Sequence, residues 1–101
     1  MRILLKSLGF RVGESLQHHV TRRLQAALSH WSDRLGRVVV RISDENGPRG
    51  GLDKTCSIQL DLPRREPALV TAVSSDYYSA VDLAVRRAGR AASHTLDRRP
   101  Y

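Results

Sequence analysis

Cysteine is nearly absent: Cys56 stands alone in 101 residues. That excludes an internal disulfide and any zinc site built from several cysteines. Long apolar runs are missing too. Ile3 to Leu5 is all that follows Met1-Arg2, and nothing approaches the ~20 residues that span a bilayer. No signal peptide is visible, so a soluble, intracellular, cytoplasmic protein is expected, without membrane partner. Lysine is scarce, Lys6 and Lys54 being the only two among 17 basic residues. Acidic residues number 10, which leaves a net charge of +7. The cations are therefore arginines. Their planar fork binds phosphate oxygens two at a time and stacks on bases. An arginine-rich small domain leans towards nucleic acid or another polyanion, although an arginine bias also follows from a GC-rich genome.

No residue set for catalysis can be singled out. His18 and His19 are adjacent and point about 100° apart on a helix, so they cannot form a paired metal face. His30 and His94 have no partner by spacing. The glycines of Asn46-Gly47-Pro48 and Gly50-Gly51 lack phosphate-loop spacing and any following Gly-Lys-Ser/Thr. Neither enzyme activity, metal, cofactor nor small-molecule substrate is expected. A binding module is favoured by elimination.

What is present is periodicity. Arg2 to Leu8 reads as a strand, with Ile3 and Leu5 on one face and Arg2, Leu4 and Lys6 on the other. From Glu14 to Trp31 the period changes: Leu16, Val20, Leu24, Leu28 and Trp31 make a helical stripe, with Arg22 and Arg23 off it. Trp31 is read as closing the end of the core. Ser32 to Gly36 breaks the helix. Arg37 to Ser43 is a second strand, Val38, Val40 and Ile42 facing one way and Arg37, Val39 and Arg41 the other. Asp44 to Asp53 is a long turn-rich loop. Thr55 to Leu62 alternates cleanly, Cys56, Ile58, Leu60 and Leu62 against Thr55, Ser57, Gln59 and Asp61. Cys56 is thereby a small core residue. Ala68 to Ser74 is a fourth strand, with Ala68, Val70 and Ala72 inward.

The last helix starts near Ser75 or Asp76, either of which can cap it. Tyr77, Val81, Ala84, Val85, Ala88 and Ala92 form its apolar face. Arg86, Arg87, Arg90 and, further on, Arg98 lie mostly off that face. Asp82 precedes Arg86 by four residues and is most simply its helical ion partner. Residues from Leu96 onward are expected to fray.

The order is strand, helix, three strands, helix. The expected fold is α+β: a four-stranded mixed sheet with the first two strands parallel and both helices packed on one face. Residues 1–96 make a single domain and 97–101 a frayed tail. Double-stranded-RNA-binding domains are built in a comparable way. The outward positions of the sheet carry no ring, which argues against base stacking there. Arginines on both helices and at strand ends suit folded RNA read by shape and phosphate contacts.

The chain resembles a known family, the ribosome hibernation-promoting factors and ribosome-associated inhibitors, also described as sigma-factor modulation proteins. Asp76-Tyr77-Tyr78-Ser79-Ala80-Val81-Asp82 is similar to the family's Asp-Met-Tyr-Ala-Ala-Ile-Asp. Glu14-Ser15-Leu16, Val20-Thr21, Asp33-Arg34-Leu35 and the Ala-x-Val-x-Ala strand before Asp76 agree in order and spacing. The resemblance implies the same β-α-β-β-β-α fold. It implies binding to the small (30S) ribosomal subunit and its 16S rRNA, in the channel of messenger and transfer RNA, under stress or stationary phase. Arg23 matches a basic site of the family's first helix; Arg87, Arg90 and Arg98 match basic sites of its second. Together with Arg22 and Arg86 these are the expected RNA-binding residues. Tyr78 and Asp82 match the helix-start motif, where packing is as good a role as RNA contact.

Some positions depart from the family pattern. Gly13 stands where a Thr cap is common, and His94 and Leu96 where bases are common. Gly89 interrupts the helix. The family's long form carries a further dimerisation domain; the expectation here is a short form, working with a companion hibernation factor where ribosomes are paired. The competing expectation is a regulatory protein-interaction module without direct RNA binding.

Overall fold

The computed structural model describes residues 1–44 and 53–97. The elements are β1 (Arg2–Leu8), α1 (Glu14–Leu28), β2 (Arg37–Asp44), β3 (Lys54–Leu60), β4 (Ala68–Ser74) and α2 (Tyr77–Leu96). The sheet order is β1-β2-β3-β4. β1 and β2 run parallel, joined through α1, and the remaining pairs are antiparallel. This is the expected α+β arrangement. A parallel pair needs a crossover of a dozen or more residues, which α1 supplies.

Register decides which side chains reach the core. Ile3 pairs with Val38 and Leu5 with Val40. Val40 faces Ile58, Ile42 faces Cys56, and Cys56 faces Ala72. These residues share one side of the sheet, and α1 and α2 close over it. From α1 come Leu16, Val20, Leu24 and Leu28; from α2 come Ala80, Val81, Ala84, Val85, Ala88 and Ala92. Full burial of each Leu or Val contributes about 1.5–3 kcal/mol relative to exposure. Burial also pushes the Cys56 thiol up to about 12, so it is an inert core residue.

Local chemistry sets the ends of the elements. Asp76 caps α2: its Oδ1 accepts from the Ser79 backbone N–H at 2.8 Å and its Oδ2 from the Ser79 hydroxyl at 2.7 Å. Those bonds hold the Asp76 carboxyl below its ordinary range. Gly13 precedes α1 and makes no side-chain cap. The α1 periodicity extends to Trp31, but the α-helix stops at Leu28 and Ser29–Trp31 is one 3-10 turn. Tightening of the last turn satisfies terminal carbonyls locally, and Trp31 remains buried.

Three further details differ from expectation. β3 ends at Leu60, two residues early, although Leu62 stays buried. There Gly36 and Arg37 exchange backbone hydrogen bonds with Asp61. Strand alternation puts Val39 on the wet face, yet it is only 4% exposed. It lies on a central strand between Leu4 and Gln59, and long flanking side chains cover apolar surface of this kind. Leu96, placed at a fraying end, is helical and packs on the core. Asp97 beyond it accepts from Trp31 Nε1 at 2.7 Å.

The turn motifs at Asn46-Gly47-Pro48 and Gly50-Gly51 lie outside the described residues. The ends of that connection are clasped: Lys54 Nζ is 3.1 Å from both Asp44 Oδ2 and Asp53 Oδ1. Burial would lower the Lys54 pKa, but the two carboxylates together raise it. Lys54 also lies 5.6 Å from the Tyr77 ring centre, and Phe10 stacks on Tyr77 at 4.3 Å.

Gly89 sits inside α2, where a Cβ would meet only the Ala27 carbonyl at 4.0 Å. Gly89→Ala therefore adds helix propensity without a clash. It is expected to raise stability by about 0.5–1 kcal/mol in urea unfolding.

Candidate nucleic-acid interface

α1 and α2 lie side by side over the sheet, and a polar seam runs along their outer junction. On α1, Ser15, His19 and Arg23 recur at steps of four. On α2, Tyr78 and Asp82 do the same. The Ser15 and Tyr78 hydroxyls are 2.8 Å apart. The His19 ring meets Tyr78 edge-on at 4.9 Å between centres. Asp82 Oδ1 contacts His19 Nε2 at 2.7 Å and accepts from Arg23 Nε at 3.0 Å.

Asp82 is thus bonded across the helix junction, to His19 and Arg23. The expected pairing with Arg86 along α2 is corrected. A partner on a neighbouring helix offers two converging donors to the half-buried carboxylate. An i, i+4 pair offers one flexible contact worth a few tenths of a kcal/mol. Burial pushes the Asp82 carboxyl up, but the bonds from Arg23 and His19 outweigh it and hold it below the ordinary range. The same contact raises Arg23.

The expected contact residues separate into groups. Arg22 and Arg23 lie exposed on α1, and Arg86, Arg87 and Arg90 exposed on α2. Arg23 and Arg86 line one depression of about 260 Å³ together with Ala26, Ala27 and Asp82. Arg23 gives its Nε to Asp82, which aims the guanidinium from the seam. Arg87 is turned towards the sheet, where its Nη1 donates to the Thr71 carbonyl. Arg22, Arg86 and Arg90 have no acidic partner among the described residues. Arg98 lies outside them. Arg34, which the sequence marks only as part of Asp33-Arg34-Leu35, donates from Nη1 to the Leu96 carbonyl at 3.2 Å and so ties the end of α2 to the turn after α1.

Chemically the helix side offers guanidinium groups around a shallow, open depression, with Arg23 held there by Asp82. It suits phosphate oxygens presented by a polymer. Among the described residues no group of three His, Cys, Asp or Glu side chains converges as a metal site would, and no helix is long and apolar enough to cross a membrane.

A family model described as sigma 54 modulation protein / S30EA ribosomal protein matches residues 3–99. The chain belongs to this family. The S30EA resemblance drawn from the start of α2 is thereby shown to hold over the whole domain. No curated protein sequence matches the chain significantly. Among solved structures, a ribosomal subunit interface protein from Coxiella burnetii matches with a TM-score of 0.84 and 18% identity. The match covers 97% of this chain and 100% of that one. The Thermus thermophilus Protein Y N-terminal domain matches with a TM-score of 0.71 and 19% identity, over 93% and 98%. At such identities the likeness is one of fold. This S30EA-family chain keeps that fold while its sequence has changed at most positions.

The seam makes a pH-dependent contribution to stability. The folded Asp82 carboxyl titrates below its ordinary value of 3.8, so its contribution is present at neutral pH and lost as pH falls through the folded value. Asp82→Ala is expected to cost about 1 kcal/mol at pH 7. Urea unfolding at pH 7 and pH 3 should show a smaller acid loss for Asp82→Asn than for the wild type.

Proposed function

We propose that this protein is a ribosome-binding translation inhibitor, a hibernation factor that lodges in the messenger and transfer RNA channel of the small (30S) subunit. Membership of the S30EA family across residues 3–99 carries this reading. The fold shared with a ribosomal subunit interface protein agrees with it. Residues 1–96 act as the single ribosome-binding domain.

The mechanism is occlusion held by charge. The net charge of +7 draws the domain to a polyanionic surface. Arg22, Arg86 and Arg90 meet phosphates of 16S rRNA directly, Arg23 does so from its anchor on Asp82, and Arg98 extends the contact past α2. Arg87 contributes with the part of its guanidinium not turned to Thr71. Phosphate contacts fix position and register without reading sequence, as suits a plug in a structured channel. A domain seated there excludes messenger and transfer RNA. It acts in the cytoplasm under stress or in stationary phase, and a companion factor supplies ribosome pairing where that occurs.

Sucrose-gradient co-sedimentation with purified small subunits at two salt concentrations tests this. Binding is expected at low salt and should weaken as salt rises, since each neutralised phosphate releases counterions. No co-sedimentation at low salt overturns the proposal. Arg86→Ala with Arg90→Ala should weaken binding roughly ten-fold and lower the log–log salt slope by about two, with the melting temperature retained. Capture of one acidic protein, insensitive to ribonuclease, would instead favour a protein-interaction module.

A further inference from the structure

The face of the sheet away from the helices is not a neutral back. In the parallel register Arg2 stands opposite Arg37 and Lys6 opposite Arg41, with Leu4 and Val39 between the two pairs. Like charges directly opposite one another on neighbouring strands destabilise a sheet. Asp61 relieves one pair, at 3.3 Å from Arg37 Nε. The other is unrelieved: neither Lys6 nor Arg41 has an acidic partner among the described residues.

The row continues in hydroxyls. Ser57 faces Arg41, and Thr71 faces Ser57. Next to it, Lys6, Arg41, Ser43 and Ser57, together with Leu8 and Ile42, line a groove of about 470 Å³. Two adjacent cations backed by hydroxyls are complementary to phosphate and ribose oxygens. Among the described residues no aromatic ring occurs on this face, so it suits backbone and not bases.

Its most exposed apolar side chains stand at the two edges, and one of them, Leu8, lines the groove itself. Leu8 is 74% exposed, Leu69 65% and Val73 46%. Leu8 is on edge strand β1, and Leu69 and Val73 are on the opposite edge strand β4. Three strand spacings of ~4.8 Å put about 14 Å between the edges, and Ser43 and Thr55 fill that row between Leu8 and Val73.

We propose that the open sheet face is a second RNA-backbone contact, centred on Lys6 and Arg41 with the Ser57 and Thr71 hydroxyls beside them. The protein would then grip phosphate on both of its broad sides, as a plug between two RNA walls must. This rests on the ribosome-binding reading above.

The test compares Lys6→Gln with Arg41→Gln, as a double variant, against wild type and against the Arg86/Arg90 variant in the same gradients. The sheet variant should bind roughly ten-fold more weakly, with a salt slope lower by about two. Losses from the two faces should add when combined, the sites being far apart. A photo-reactive side chain at Thr71 should crosslink to rRNA. The variant's melting temperature should equal or exceed that of wild type, because a like-charge pair is gone. Wild-type affinity and slope in the sheet variant, beside a weakened helix variant, overturn the second contact and leave the proposed function standing. A Thr71 crosslink to protein in place of RNA also overturns it. Should the wild type itself not sediment, the proposed function fails. Binding to a duplex RNA of about 16 base pairs then decides the face alone: weaker binding by the sheet variant supports it, and equal binding rejects it.

Discussion

The alanine face of α2 lies against β3 and β4 and limits where everything else can go. Ala80, Ala84, Ala88 and Ala92 carry no bulk beyond Cβ, so the helix backbone comes close to the sheet, with Val81 and Val85 filling the space beside it. α1 then packs into the remaining width of the same face with the larger Leu16, Val20, Leu24 and Leu28. Small residues on one helix and large ones on the other share the layer between them. Asp76 fixes where α2 begins, and the Trp31–Asp97 bond fixes where it ends.

The same packing sorts the arginines. Both helices give one face to the core, so their cations must leave on the far side of the molecule from the open sheet. Arg23 is held at the seam by Asp82, and Arg87 is drawn to the edge by Thr71. Arg22, Arg86 and Arg90 remain for a partner. On the opposite side Lys6 and Arg41 stand together because β1 and β2 are parallel and in register. A chain of this charge is strained where cations crowd without neutralisation. This one puts the sheet between its two basic sides and neutralises cations at Asp61, Asp82 and the clasp of Lys54 by Asp44 and Asp53, while Lys6 and Arg41 stay adjacent with no acidic partner among the described residues.

Much of the fold was legible because its elements have clear periods. Cys56, Ile58 and Leu60 alternate, and Leu16, Val20, Leu24 and Leu28 recur at four, so each declares its buried face. What failed was local. The change to a 3-10 turn before Trp31 leaves the apolar spacing intact and so leaves no mark in the pattern. Val39 is buried by its neighbours on a central strand, and strand alternation says nothing about neighbours. The site was legible as a set of candidates only. Arg22, Arg23, Arg86, Arg87 and Arg90 were visible as cations off the apolar stripes, but nothing in their spacing separates Arg87, held by a carbonyl, from Arg86, which meets no acid among the described residues.

By itself the sequence determined the element order, most of the inward faces, a cap at Ser75 or Asp76 and the excess of arginine. These follow from the chemistry of neighbours in the chain, within one helical turn or one strand pleat. Only the tertiary structure decided that Asp82 answers to His19 and Arg23 instead of Arg86, that Ser15 meets Tyr78, and that Lys6 stands beside Arg41. Each of these contacts joins residues at least 35 positions apart, and their meeting depends on how far one helix or strand slides along another. That offset is set by the fit of whole faces, by Ala84 and Ala88 as much as by the polar groups, and no local pattern encodes it.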